Sequence, residues 1–210
     1  MERILIYHIT HYKNLTSILK EGSILCKSLI REKSIVYKDV AYKEIQARRS
    51  VTNVPLEPYG TLHDYVPFSF APRSPMLGAI YKNHQEGQRP MVHIVSSVQN
   101  VVQSGTPFVF TDGHATMALS NFYNHVRDLD KVDWEIMKSR FWADTPEDPD
   151  RKRRRQAEFL VYRRLHWSWV IGIGVIDEQV KATVMEIMNR FGCNLPVVVR
   201  KEWYYDERRG

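Results

Sequence analysis

Stretches patterned as strands and stretches patterned as helices succeed one another along this chain without strict β-α-β alternation, which argues against a doubly wound parallel sheet. Residues 3 to 9 alternate with the period of a strand. Leu15, Ile18 and Leu19 then take the spacing of a buried helix face that stops at Gly22, a residue suited to a left-handed C-terminal position. A helix is expected over 37 to 50, rich in Ala, Lys, Glu and Gln. A loop punctuated by Pro55, Pro58 and Gly60 leads into a short strand at 65 to 70, which Pro67 should confine to an edge or a strand start because proline brings no N–H to a ladder. Ser74 and Pro75 read as N-cap and first helical residue. Further strands are expected at 91–96, 107–111, 157–163, 170–176 and 196–205, and further helices at 98–104, from His114, and at 178–191. The reading is an α+β fold in one domain spanning residues 1–210.

Glu158 is the most informative single residue. It lies three positions after the basic run Arg151-Lys152-Arg153-Arg154-Arg155, in a strand-like segment where a carboxylate would repel whatever polyanion the run attracts. Ala157, Phe159 and Val161 fall on one face of that strand, and Glu158, Leu160 and Tyr162 on the other. The plain reading is an edge-strand carboxylate in water. Because its own face is half apolar, the sharper reading is a carboxylate beside an electropositive pocket, placed for proton transfer or to stabilise a cation.

The net charge of +6 is uneven, concentrated at Arg48-Arg49, the 151–155 run, Arg163-Arg164 and Arg208-Arg209. Such clusters suit a polyanion such as nucleic acid or a nucleotide, or else a solvated surface. Cys26 and Cys193 are too few and too far apart for a disulfide framework or a zinc site, which fits a reducing compartment. The N-terminal residues lack a signal-peptide pattern and the apolar run around 170–176 is far short of a bilayer span, so a cytoplasmic protein without membrane insertion is expected.

Gly172-Ile173-Gly174 sits inside an apolar strand and lacks the third glycine of a dinucleotide fingerprint; no P-loop and no Gly-x-Ser-x-Gly occur. His8 and His11 are three apart at a strand end, with no further Cys or His cluster to complete a metal site, so no metal is expected. His8 and Thr10 lead into a helix N-terminus, a junction able to hydrogen-bond a nucleotide, although a locally satisfied histidine is the plainer alternative. His114 after Asp112-Gly113 is read as the start of a helix whose dipole would favour the neutral ring.

Taken together, Tyr7-His8-Ile9-Thr10, the run from Gly60 to Leu77, Thr111-Asp112-Gly113-His114-Ala115 and Arg155-Gln156-Ala157-Glu158-Phe159-Leu160-Val161 resemble the DarT family of bacterial toxins that ADP-ribosylate DNA. The resemblance spans nearly the whole chain, with two departures: Ser69 where the family commonly has an aromatic, and Gly78 where it has Tyr. It implies an ADP-ribosyltransferase-like split antiparallel β-sheet core with surrounding helices, clamping NAD+ as co-substrate. By resemblance, Glu158 and Arg49 are catalytic, with the neighbouring Arg48 an alternative for the arginine. His8, Ile9, Thr10, Asn14, Arg49, Phe68 and Ser69 would hold NAD+, and Met76, His114, Lys152 and Arg154 would contact DNA.

The implied activity is an NAD+-dependent transfer to thymine N3 in single-stranded DNA, in a sequence-dependent way, with release of nicotinamide. A DarG-type macrodomain antitoxin is the implied partner, and the chain is expected to act as a monomer. A non-catalytic single-strand-binding module, with Tyr42, Phe68 and Tyr162 as stacking platforms, and an RNA-directed transferase on the same fold are the alternatives.

Overall fold

The computed structural model describes residues 3–205; the Arg208-Arg209 cluster lies outside them. Its strands are β1 (Leu5–His11), β2 (Ser23–Leu25), β3 (Tyr65–Ser69), β4 (Met91–Ser97), β5 (Phe108–Thr111), β6 (Phe122–Tyr123), β7 (Glu158–Tyr162), β8 (Arg164–His166), β9 (Gly172–Val175) and β10 (Val197–Val199). The α-helices are α1 (Leu15–Glu21), α2 (Lys27–Glu32), α3 (Lys43–Val51), α4 (Pro75–Asn83), α5 (Val98–Gln103), α6 (Trp134–Lys138), α7 (Arg151–Arg154) and α8 (Glu178–Asn189). Eight strands form one sheet in the order β10-β9-β4-β1-β3-β7-β5-β6, and β2 pairs with β8 beside it. The α+β class holds, and every pairing is antiparallel except β9 with β10. Those two run parallel because α8 carries the chain back between them, which an antiparallel hairpin cannot do.

Local chemistry accounts for several boundaries. α1 ends on Gly22, whose φ of 60° lets its N–H reach the carbonyls of Ile18 and Leu19. Ser74 Oγ accepts from the Leu77 N–H and Pro75 opens α4, as their sequence predicts. The helix expected over 37 to 50 begins only at Lys43, and α2, β2, β6, β8 and α6 are too short for periodicity to reveal. No helix starts at His114: residues 112–121 form a turn that folds back to β6, because the Asp112 carboxylate accepts from the Asn121 backbone N–H (3.0 Å) and from Asn121 Nδ2 (2.9 Å). α7 is a single turn formed by the basic run itself.

The sheet is covered on both faces. Ile6, Val66, Phe68, Phe110, Phe159 and Val161 point into the main core; Val54, Leu62, Tyr65, Val109 and Leu160 form a second one. Each fully buried aliphatic or aromatic side chain contributes about 1.5–3 kcal/mol. Leu160 is wholly buried, so the face of β7 that carries Glu158 is not a solvated one. Among the described residues, no helix is long and apolar enough to cross a membrane.

Pro67 does not mark a sheet edge. β3 lies between β1 and β7, pairing with β7 along its whole length but with β1 only at Tyr7↔Ser69. Beyond that pair the C-terminal half of β1 and the N-terminal half of β3 part company. Proline is tolerated there because the side that lacks an N–H faces the split instead of a ladder.

Candidate active site

The split between β1 and β3 is the floor of a cleft of about 910 Å³, its open mouth included. One wall carries His8, Ile9, Thr10 and Asn14; the other carries Gln46 and Arg49 of α3 with His63, Tyr65 and Pro67, and the segment from Ile35 to Ala41 overhangs both. Met76 reaches its rim and is partly exposed.

At the fork, the His8 ring bridges the parted strands. Its Nδ1 lies 2.9 Å from the Pro67 carbonyl, which can only accept, so Nδ1 carries the proton. Burial pushes the His8 pKa down, and the Pro67 bond opposes that in part. The neutral ring then offers Nε2 as an acceptor. Phe68, expected to touch the co-substrate, is only 1% exposed; its ring packs 5.6 Å from that of His8 and backs it instead of facing the cleft.

Thr10 and Asn14 are joined, Asn14 Nδ2 donating to Thr10 Oγ1 (3.0 Å). The rest of the Asn14 carboxamide is engaged with Lys38, donating to its carbonyl (2.9 Å) and accepting from its N–H (2.7 Å). Asn14, expected to hold NAD+, thus pins the overhanging segment to β1 while lining the cleft.

Glu158 lies on β7 directly opposite Ser69, which in turn lies opposite Tyr7. The three residues form a row across the unsplit part of the sheet. Arg49 Nη1 donates to both Glu158 oxygens, at 3.1 and 2.8 Å, and the Ala115 N–H donates to Oε1 at 3.2 Å. Both side chains are about nine-tenths buried, 10% and 13% exposed. The carboxylate is also held from behind: its backbone N–H donates to Thr111 Oγ1 (3.1 Å), whose hydroxyl donates to the Gly113 carbonyl (2.6 Å). Ser69 Oγ is turned to backbone, donating to the carbonyls of Ala71 (2.9 Å) and Tyr7 (3.3 Å).

The two candidate arginines differ in position. Arg49 is buried against Glu158, whereas Arg48 faces solvent. Arg49 Nη2 is buried without a hydrogen-bond partner, an arrangement that costs free energy unless an anionic or oxygen-rich ligand completes it. A buried cation with an unmet donor on the wall of this cleft suits an anionic group such as a phosphate.

His114 stands beside the carboxylate. Its pKa is lowered chiefly by burial, with Glu158 opposing and Arg49 and Arg48 reinforcing; the helix dipole expected from sequence plays no part, since no helix begins there. Its Nδ1 receives the Thr116 backbone N–H (3.3 Å) and faces the Thr116 hydroxyl (2.9 Å), leaving Nε2–H as the donor.

The basic run behaves differently from its appearance. Arg153 binds Asp150 and Asp112, and Arg154 binds Asp133 and Asp148. Arg155 is buried and donates to the carbonyls of Ile136 (2.6 Å), Met137 (2.5 Å) and Arg73 (3.1 Å). Of the expected DNA contacts in this run, Lys152 is the exposed one, while Arg154 is occupied by carboxylates. Among the described residues no His/Cys/Asp/Glu group could hold a metal.

Residues 7–205 match the family model described as ssDNA thymidine ADP-ribosyltransferase, DarT. The chain belongs to the DarT family. It is 43% identical over 205 residues to a DNA ADP-ribosyl transferase of Thermus sp. (strain 2.9), covering 95% of each chain. Its fold superposes on Thermus sp. 2.9 DarT in complex with ADP-ribosylated ssDNA with a TM-score of 0.89 at 42% identity, covering 96% of each chain. Against the same DarT in complex with NAD+ the TM-score is 0.87 at 39% identity, covering 98% of this chain and 99% of that one. A DNA ADP-ribosyl transferase-DNA ADP-ribosyl glycohydrolase fusion protein of Thermosipho africanus is 25% identical over 202 residues, which are 95% of this chain and 49% of the fusion.

The DarT cleft as seen here includes residues that the sequence did not single out. Gln46, His63 and the 35–41 segment all line it. Only Gln46 carried a usable signal, its position one turn before Arg49 on a polar helix.

Proposed function

We propose that this chain transfers ADP-ribose from NAD+ to N3 of thymine in single-stranded DNA, in a sequence-dependent way, releasing nicotinamide. The coarser statement needs no proposal: as a DarT family member the chain is an NAD+-dependent DNA ADP-ribosyltransferase. The observation that carries the finer reading is the Glu158 carboxylate, nine-tenths buried at the closed end of the split and held by Arg49 and the Ala115 N–H.

In this reading His8 and Thr10 hold the nicotinamide end through the free Nε2 acceptor and the threonine hydroxyl. Arg49 meets the pyrophosphate with its unpaired Nη2. Breaking the bond from ribose C1 to the nicotinamide nitrogen leaves its electron pair on that nitrogen and builds positive charge on the sugar. Glu158 stabilises that charge more than it stabilises the ground state. As N3 of the base bonds to C1, Glu158 accepts the N3 proton, a step that needs only hydrogen-bond reach. His114 Nε2–H, beside Glu158, suits a base carbonyl flanking that N–H. A single strand presents the base without the few kcal/mol, roughly, that extrusion from a duplex costs. Adducts on template bases would make the activity toxic, and a macrodomain glycohydrolase of DarG type would reverse them; the fused relative pairs these two activities in one chain.

Labelled NAD+ incubated with thymine-containing and thymine-free oligonucleotides tests the reading, with the adduct located by mass spectrometry. Label is expected only on thymine, with transfer abolished by Glu158→Ala while NAD+ binding survives. Adducts on another base, or preference for RNA of the same sequence, would overturn the finer assignment.

A further inference from the structure

α3 is held to the body of the protein in an unusual way. Its one buried residue is Arg49, so no apolar stripe docks it on the sheet. Two polar side chains one turn apart do so instead: Arg49 reaches Glu158, and Gln46 meets His63. In the second contact His63 Nε2 lies 3.0 Å from Gln46 Oε1, an oxygen that can only accept, so the imidazole donates.

His63 has little freedom to change this arrangement. It is 4% exposed and sits in the 3-10 turn Leu62–Asp64. The Asp64 carboxylate closes that turn by accepting from the Thr61 N–H (2.8 Å) and hydroxyl (3.0 Å). Burial, reinforced by Arg31, Arg49 and Lys27, pushes the His63 pKa down to about 4, so the ring is a neutral donor at pH 7.

With Oε1 taken by His63, the carboxamide of Gln46 is locked in one of its two orientations. Its two N–H groups have no partner among the described residues, and Gln46 lines the cleft beside Arg49. We propose that Gln46, aimed by His63, is a second dinucleotide-binding residue on α3. Its carboxamide N–H donates to an oxygen of the pyrophosphate or of an adjoining ribose, one helical turn from the Arg49 guanidinium. His63 is the positioning residue, acting only through Gln46. The proposal rests on the reading of the cleft as the NAD+ site.

Calorimetric titration of NAD+ into the full chain without DNA, for wild type, Gln46→Glu, His63→Ala and the double variant, tests it. In Gln46→Glu one oxygen still accepts from His63 while the other turns lone pairs and charge toward the ligand. NAD+ affinity should fall about tenfold or more, with kcat at saturating NAD+ little changed. His63→Ala should weaken NAD+ severalfold alone and add nothing in the double variant. ADP-ribose should show the same losses as NAD+; a loss confined to NAD+ would put the contact at nicotinamide and overturn the assignment. Unchanged NAD+ affinity in a folded Gln46→Glu protein overturns the proposal while leaving the transferase reading intact. A wild-type chain that fails to bind NAD+ overturns the underlying reading and this inference with it.

Discussion

Replacing Glu158 by glutamine removes one negative charge and keeps the shape of the side chain, so its consequences separate chemistry from packing. Three terms follow from the geometry. The first is the rate. A lost general base alone is worth about 10²–10⁴, and the lost charge opposite the ribose a comparable factor that overlaps with it. Transfer should therefore fall at least ~10³-fold, about 4 kcal/mol of barrier. The second is stability. Arg49 Nη1 now donates to both carboxylate oxygens, at 3.1 and 2.8 Å, in a pair about nine-tenths buried. The amide keeps one acceptor and presents an N–H where the other stood, so about one charged hydrogen bond is lost, roughly 2 kcal/mol, or ~4–8 °C in Tm for a domain of this size. The third is NAD+ affinity. Because Arg49 is tied to Glu158 in the free protein, weakening that tie leaves the guanidinium freer for pyrophosphate, and NAD+ should bind as tightly as before or up to ~10-fold more tightly. Single-turnover transfer of labelled ADP-ribose to a thymine oligonucleotide, NAD+ calorimetry and thermal melting read the three separately. Transfer within tenfold of wild type with NAD+ bound would refute the role of the carboxylate. Transfer lost only in proportion to NAD+ affinity would assign Glu158 to binding instead.

Lys152→Ala should lower the slope of log Kd for single-stranded DNA against log salt by about 0.7. Arg154→Ala, which strips the partner from Asp133 and Asp148, should lower Tm and leave that slope nearly unchanged; a full unit of slope lost with Arg154 would show its ion pairs opening to take phosphate. A Cβ on Gly78 would lie 3.0 Å from the Tyr205 ring, so Gly78→Ala should destabilise the wild type by about 1 kcal/mol or more. In a Tyr205→Ala background the same change should stabilise by up to ~1 kcal/mol through helix propensity, a reversal that melting of the four proteins detects. His93 is wholly buried and donates from Nε2 to the Pro72 carbonyl (2.9 Å), and burial pushes its pKa down to about 4. The unfolded chain takes up that proton near pH 6.5, so between pH 6.5 and 4 it binds more protons than the folded one and stability falls as pH is lowered. Denaturant titrations should lose ~3 kcal/mol across that window from this residue, and His93→Gln should flatten the slope.

What was legible in the sequence was what depends on near neighbours. The period-two alternation of β7 placed Leu160 on the opposite face from Phe159 and Val161, and Leu160 indeed packs in the second core while those two pack in the main one. Ser74-Pro75 and Gly22 marked helix ends because capping is settled within four residues. Pro67 was misread for a reason of the same kind. A proline argues against ladder pairing on one side of its strand, and in isolation that reads as an edge; the actual vacancy is internal, where β1 leaves β3 after a single paired position. Whether a strand lacks a neighbour because the sheet ends or because it splits is a long-range property. The 112–121 segment was misread because Asp-Gly opens both turns and helices, and the choice was made by Asn121 and Arg153 closing on the Asp112 carboxylate.

The apparent conflict between Glu158 and the run before it dissolves on the same distinction. Adjacent charges in sequence suggested that the arginines hold a polyanion while the glutamate works among them. In space, Asp148 and Asp150, just before the run, together with Asp112 and Asp133, take up Arg153 and Arg154. The counter-charge of Glu158 comes instead from Arg49, 109 positions earlier, on a helix with no other buried residue. The guanidinium divides its work: Nη1 holds Glu158, and Nη2, buried without a hydrogen-bond partner, is the donor left for a ligand oxygen in the cleft. On the proposed reading, a pyrophosphate oxygen at Nη2 and the carboxylate at Nη1 would be coupled through one guanidinium. The coupling has a direction: DNA presented before NAD+ meets a carboxylate already hydrogen-bonded to arginine. Pre-incubation with NAD+ should accordingly give a faster first turnover than pre-incubation with oligonucleotide, and equal first-turnover rates in the two orders would break the coupling.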